Sequence, residues 1–161
     1  MKDNKYDLLI FDWEGTLLNS SPNNILSKTQ LFNGIEIGIK ELKRQGYILS
    51  IATGKGRKSL DNDLINTKLK DYFLITKTVD ECFSKPHPQM ILEILDFTMT
   101  NPEKALMIGD TSFDFEMAEN AGIASLAVSY GFQPSEQIKK FNTLGIIDHP
   151  YDLFNWIRAN G

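Results

Sequence analysis

The 161-residue chain holds a single cysteine, Cys82, so it cannot form an internal disulfide. A reduced, cytoplasmic setting follows as the default expectation, with Cys82 serving as a small apolar filler rather than a nucleophile. Its two histidines, His87 and His149, lack the spacing of metal ligands and are expected at the surface. Long hydrophobic runs are missing too: Met1-Lys2-Asp3-Asn4-Lys5 leads into only a few apolar residues, so neither a signal peptide nor a membrane span is expected. Basic charge is scarce. Seventeen Lys and Arg face 21 Asp and Glu, for a net charge of −4 and a pI near 5.2. That balance argues against nucleic-acid and anionic-membrane partners, which need a basic face. Repeats, low-complexity tracts and linkers are absent, and with 42% apolar residues the length suits one domain over 1–161.

What the chain does contain is an alternation of strand-like and helix-like segments. Strands are expected at Tyr6–Phe11, Tyr47–Ala52, Phe73–Thr76, Ala105–Ile108, Ala124–Val128 and Gly145–Ile147. Helices are expected at Gly34–Arg44, Lys58–Lys70, from Pro86 onward, at Phe113–Asn120, after Pro134, and at Tyr151–Ala159. Residues 17–33, rich in Asn and Ser and holding Pro22, are read as an irregular excursion. Strands spaced by helices imply an α/β fold: a three-layer, Rossmann-like parallel sheet with right-handed crossovers and helices on both faces.

Chemically distinctive residues fall where the strands end. Asp12 and Glu14 follow the first strand, Thr53 and Gly54 the second, and Asp110 and Asp114 the fourth, while Lys85 precedes the helix after the third. Each alone has a plain explanation as a helix cap. Together at one carboxyl edge, where open α/β sheets hold their ligands, they suit a hard cation and a phosphoryl group. Gly54-Lys55-Gly56-Arg57-Lys58-Ser59 has the outline of a dinucleotide fingerprint, but Ser59 stands where Gly or Ala belongs and no Gly precedes Lys58 for a Walker loop. The cluster Lys55, Arg57 and Lys58 is therefore read as a solvated helix start that could attract an anion. Trp13 is a candidate for the mouth of the site, and Trp156 for packing of the last helix.

Asp12-Trp13-Glu14-Gly15-Thr16, Thr53-Gly54, Lys85-Pro86 and Gly109-Asp110-Thr111-Ser112-Phe113-Asp114 resemble the four ordered motifs of the haloacid dehalogenase superfamily of phosphohydrolases. Gly46–Thr53 and Met117–Ile123 extend the resemblance to the framework of phosphoglycolate phosphatase-like members. The resemblance implies a Mg²⁺-dependent phosphatase in which Asp12 is the nucleophile and forms an aspartyl-phosphate. It implies that Asp12, the Glu14 backbone carbonyl and Asp110 hold the metal. Thr53, with Gly54 nearby, would bind a phosphoryl oxygen; Lys85 would offset charge, and Asp114 would orient it or a metal-bound water.

Two departures from that pattern bear on function. The position two residues after the nucleophile is usually Asp, the general acid and base, and here it is Glu14. One extra methylene moves the carboxyl group by about 1.5 Å, and a misplacement of about 1 Å can cost on the order of 10²-fold. Second, only about forty residues separate Asp12 from Thr53, which leaves no room for the helical cap of phosphoglycolate phosphatase-like members. The cleft is expected to be open, with specificity coming from residues 17–33, from another subunit of a homo-oligomer, or from a bulky substrate. The leading expectation is a phosphatase acting on a phosphorylated small molecule or an exposed phosphate on something larger. Two alternatives stand beside it: a phosphate-binding regulatory domain weakened by Glu14, and a receiver-type signalling domain, which places its phosphoacceptor after the third strand rather than the first.

Overall fold

Residues Leu8–Phe11 form β1, buried along its whole length at the centre of the sheet. A parallel strand covered on both faces carries an unbroken apolar run rather than an alternating one, which accounts for Leu-Leu-Ile-Phe. The computed structural model describes residues 3–20 and 30–161; Pro22 and the middle of the 17–33 segment lie outside the described residues. The elements that follow are α1 (Ile35–Arg44), β2 (Ile48–Ala52), α2 (Arg57–Thr67), β3 (Ile75–Lys77), α3 (Gln89–Thr98) and β4 (Ala105–Gly109). Then come α4 (Ser112–Ala121), β5 (Ala124–Val128), the single turn α5 (Ser135–Ile138), β6 (Ile146–Ile147) and α6 (Pro150–Asn160).

The six strands pair in parallel in the order β3-β2-β1-β4-β5-β6, the doubly wound order in which the chain reverses direction between β1 and β4. Successive strand residues point to opposite faces, so the sheet builds two cores. On one face Leu9, Phe11, Leu49, Ile51 and Ile108 pack with Ile35, Ile39, Leu153 and Ile157 from α1 and α6. On the other, Leu8, Ile10 and Met107 pack with Met90, Ile91 and Ile94 of α3 and with Met117 and Ala118 of α4. The three-layer α/β architecture is the one expected.

Several expected boundaries are corrected. The third helix starts at Gln89, not Pro86, because His87 precedes Pro88 and a residue before proline is steered away from helical backbone. Lys85-Pro86 is a cis peptide outside the helix. The expected Lys58–Lys70 helix ends at Thr67, where Lys68 takes a left-handed conformation, and a 3₁₀ turn covers Lys70–Tyr72. Phe73 is not in β3; its ring meets Phe11 and Trp13 edge-on in the core, and the strand begins at Ile75. The described ends of the 17–33 excursion are tied down: Leu17 and Leu18 are buried, and Leu18 bridges to both Glu14 and Leu31. Trp156 packs against the core with α6.

Two helix ends test backbone strain without disturbing packing. Gly122 closes α4 at φ 75° with open space around its α-carbon, whereas Lys68 closes α2 at φ 60° with a side chain. Gly122→Ala is expected to lower stability by about 1 kcal/mol and Lys68→Gly to raise it by a similar or smaller amount. Chemical-denaturation midpoints shifting in the same direction would contradict this account.

Candidate active site

The carboxyl ends of β1 and β4 lie side by side, since Phe11 is in register with Ile108. The next residues therefore bring acids together at the point where strand order reverses, and the Asp12 N–H is anchored on the Ile108 carbonyl at 2.9 Å. Ligand oxygens of Asp12, Asp110 and Asp114 all fall within 4.8 Å of one another, and all three residues are buried. Lys85 reaches into this cluster from the loop before α3, donating to Asp12 Oδ1 at 2.9 Å and to Asp114 Oδ1 at 2.6 Å. Asp12 Oδ1 also accepts the Trp13 N–H at 2.8 Å.

Helix capping accounts for Asp114 but not for Asp110 or for Thr53. The α4 cap is Thr111, whose capping box uses Asp114 as its reciprocal partner; Asp114 Oδ2 accepts from the N–H groups of Asp110 and Thr111 and from the Thr111 hydroxyl, each at 3.2 Å. Asp110 is free of that duty. It accepts from the Thr16 hydroxyl at 3.3 Å and the Phe132 N–H at 2.9 Å, both neutral donors. Nor does Thr53 cap α2, whose N-cap is Gly56; buried Thr53 instead accepts the Lys55 N–H at 3.1 Å in a tight turn at the end of β2.

Burial is the main electrostatic fact here. It pushes the Asp12 carboxyl up to about 7, with Lys85 opposing and Asp110 adding to the rise. Burial likewise raises Asp114 to about 6, reinforced by the Asp12 charge, and raises Asp110. For Lys85, burial alone would lower the ammonium, but Asp114 and Asp12 outweigh it and raise it above its ordinary value. Three carboxylates against one ammonium leave a surplus of negative charge in a buried, oxygen-only donor set. That chemistry fits a hard divalent cation.

Glycine makes the close approach possible. A β-carbon on Gly15, at φ 82°, would lie 2.2 Å from Asp110 Oδ2, and one on Gly131 would lie 2.4 Å from the same oxygen. The Trp13–Leu18 segment curls back on itself, with the Leu17 and Leu18 N–H groups on the Trp13 carbonyl at 2.9 Å, which swings Glu14 toward the cleft. Glu14 Oε1 meets Lys55 Nζ at 3.0 Å, and Lys55 also pairs with Asp63. Burial opposes the Lys55 charge, yet its bonds to Asp63 and Glu14 prevail and raise it.

A cleft of about 330 Å³ opens over these groups, lined by Asp12, Glu14, Thr53, Gly54 and Lys85. A larger hollow of about 620 Å³ between 30–34 and 66–68 contains none of them. The structure thus brings the sequence-predicted residues to one place, with Asp110 and Asp114 just beneath the lining.

Other expectations change. Trp13 does not line the mouth; it is fully buried, with its indole N–H on Asp63 Oδ2 at 3.0 Å, an acceptor fifty residues away. Lys55 and Arg57 are half-buried and ion-paired rather than free in solvent: Lys55 is held as above, and Arg57 pairs with Asp61 and Glu81, while Lys58 is exposed. Cys82 is buried, donates to Glu93 at 3.0 Å and has its thiol pushed up to about 12, chiefly by burial, which makes it a poor nucleophile. His87 and His149 are exposed, as expected. Sequence reasoning missed Gly131 and Phe132, although both follow β5 and strand ends were the signal that found the others.

Known proteins resemble this chain in sequence and in fold. The family model for haloacid dehalogenase-like hydrolases matches residues 22–128. The chain is 34% identical over 116 residues to the pyrophosphatase PpaX of Bacillus cereus (strain B4264), a match covering 71% of this chain and 54% of that protein. It is 32% identical over 125 residues to PpaX of Bacillus mycoides (strain KBAB4), covering 76% of this chain and 58% of that one. The chain thus spans about half the length of the curated relatives it matches. The fold is shared with a predicted phosphoglycolate phosphatase from Haemophilus somnus 129pt (TM-score 0.86, 18% identity, 96% of this chain and 99% of that one). It is shared also with a haloacid dehalogenase-like family hydrolase from Streptococcus pneumoniae (TM-score 0.81, 22% identity, 94% and 98%). A model match over more than half of the sequence, on a sheet with this strand order and an acid cluster at its switch point, means that the chain belongs to the haloacid dehalogenase-like hydrolases.

Proposed function

We propose that the chain is a Mg²⁺-dependent phosphomonoester hydrolase with an open, capless site, working through an aspartyl-phosphate on Asp12. The observation that carries this reading is the buried trio Asp12, Asp110 and Asp114, with Lys85 bridging Asp12 and Asp114, at the floor of a cleft. Asp12, Asp110 and the backbone carbonyl of Glu14 would hold Mg²⁺, which supplies charge neutralisation to the transferring phosphoryl group.

The chain's own residues account for the rest. Asp12, oriented by the Trp13 N–H and Lys85, attacks phosphorus; a bond from Asp12 oxygen to phosphorus forms as the bond to the leaving oxygen breaks. Glu14 donates the proton that the leaving oxygen needs. It then takes one from the water that attacks the aspartyl-phosphate, releasing inorganic phosphate and restoring Asp12. Thr53 and the backbone around Gly54 bind the phosphoryl oxygens, and Lys85 balances their charge while Asp114 holds Lys85 in place. Lys55 fixes the longer Glu14 side chain, which is how an extra methylene is accommodated. A phosphoacceptor after β1 and the family match favour this reading over a receiver domain.

Asp12→Asn should cut phosphate release from an aryl phosphate on the order of 10³-fold or more while leaving the circular dichroism spectrum intact; undiminished release refutes the nucleophile. Glu14→Gln should lower kcat by about 10²-fold or more for a poor leaving group and less for a good one. If Gln matches the parent on both, Glu14 moves no proton and the weakened, phosphate-binding reading takes precedence. Chelation should abolish turnover, and Mg²⁺ at a hundredfold excess over its Kd should add about 2.7 kcal/mol of stability. That gain should vanish in Asp110→Asn; an equal thermal shift in parent and variant would place the ion elsewhere.

A further inference from the structure

The wall of the cleft differs from its floor. Phe113 and Phe132 line it beside Val79, and the two rings are 54% and 55% exposed. Two large apolar side chains on the wall of one polar cleft offer contact area to an apolar part of a ligand.

These rings are not on loose chain. Phe113 is in the first turn of α4, two residues after the Thr111 cap. Phe132 is pinned by its own N–H to Asp110 Oδ2 at 2.9 Å, and its ring lies so close to Gly15 that a β-carbon there would be 2.8 Å from Cδ2. The backbone N–H that holds Asp110 therefore belongs to a residue that lines the cleft with an aromatic side chain.

Charge points the same way. Among the described residues lining the cleft, the cations are Lys55 and Lys85. Each is already matched by two carboxylates, Glu14 and Asp63 for Lys55, Asp12 and Asp114 for Lys85. A second phosphate on the substrate would find no unpaired ammonium to meet it. A volume of about 330 Å³ is also at the small end for ligand sites, enough for one phosphoryl group and one ring.

Resting on the phosphomonoesterase reading, we infer that this cleft selects phosphomonoesters whose leaving group is aromatic or otherwise apolar and uncharged, held between Phe113 and Phe132, in preference to pyrophosphate or other polyanions. Phosphorus sits over Asp12 and Lys85, and the leaving group lies on the two rings within reach of Glu14.

The test compares kcat/KM for phenyl phosphate, methyl phosphate and inorganic pyrophosphate with Mg²⁺, in the parent, in Phe113→Ser and in Phe132→Ser. In the parent, phenyl phosphate should exceed pyrophosphate by about tenfold or more, although phosphate is the better leaving group of the two, so the preference reports binding. In each serine variant the ratio of kcat/KM for phenyl over methyl phosphate should fall by about tenfold, mainly through KM. Pyrophosphate turned over as well as phenyl phosphate, or a ratio unmoved in both variants with unchanged urea midpoints, overturns the inference while the phosphatase reading stands. Release of phosphate from none of the three, in a parent indistinguishable from Asp12→Asn, overturns both.

Discussion

Three buried carboxylates held against one ammonium are the constraint around which the rest of this structure is arranged. Carboxylates within 4.8 Å repel, and burial magnifies the cost, so the cluster persists only because the neighbouring backbone over-determines it. Central strands β1 and β4, apolar throughout, set Asp12 and Asp110 side by side; the α4 capping box fixes Asp114; Gly15 and Gly131 clear the space that a side chain would fill. The hydrophobic sheet thus does more than stabilise the fold: its rigidity is what holds like charges together.

A second network supports the less conventional half of the site. Trp13, between the two acids of the first motif, is buried against Phe73, and its indole N–H turns Asp63 toward Lys55, which in turn holds Glu14. One core aromatic therefore links the packing under the sheet to the position of the carboxyl group above it. A shorter acid at position 14 would have to reach differently for the same lysine, so the identity of residue 14 and the Lys55–Asp63 pair belong to one structural unit.

Legibility in the sequence followed from how local each signal is. Asp12, Thr53, Asp110 and Asp114 were readable because each follows an apolar strand, and strand ends mark ligand sites whatever the rest of the chain does. Lys85 is legible from its place before the helix that follows the third strand, and its pairing with Asp12 and Asp114 from the ordered set of motifs. Trp13 was misread because a tryptophan flanked by acids looks solvent-facing, and nothing nearby in the sequence announces that Asp63 will accept its N–H from fifty residues away. Of the ion pairs that hold the lysine and arginine after β2, Arg57–Asp61 is at helical i,i+4 spacing and legible in the sequence, whereas Lys55–Asp63 and Arg57–Glu81 depend on how the chain folds. Phe132 sits in a loop without periodicity, and its closeness to Gly15 arises from the pairing of β4 with β5.

The charge pattern also ties substrate binding to the metal. Around the cleft, Asp12, Glu14, Asp63, Asp110 and Asp114 outnumber Lys55 and Lys85, and both lysines spend their charge on those acids. Such a surplus of acids leaves a phosphate monoester no lysine of the cleft that lacks a carboxylate partner. In the proposed phosphatase Asp12, Asp110 and the Glu14 carbonyl would hold a divalent ion, which would supply positive charge beside Lys85 where the phosphoryl group binds. With the phosphoryl group bound at the floor, the role inferred for Phe113 and Phe132 in the wall is discrimination by shape and apolar contact.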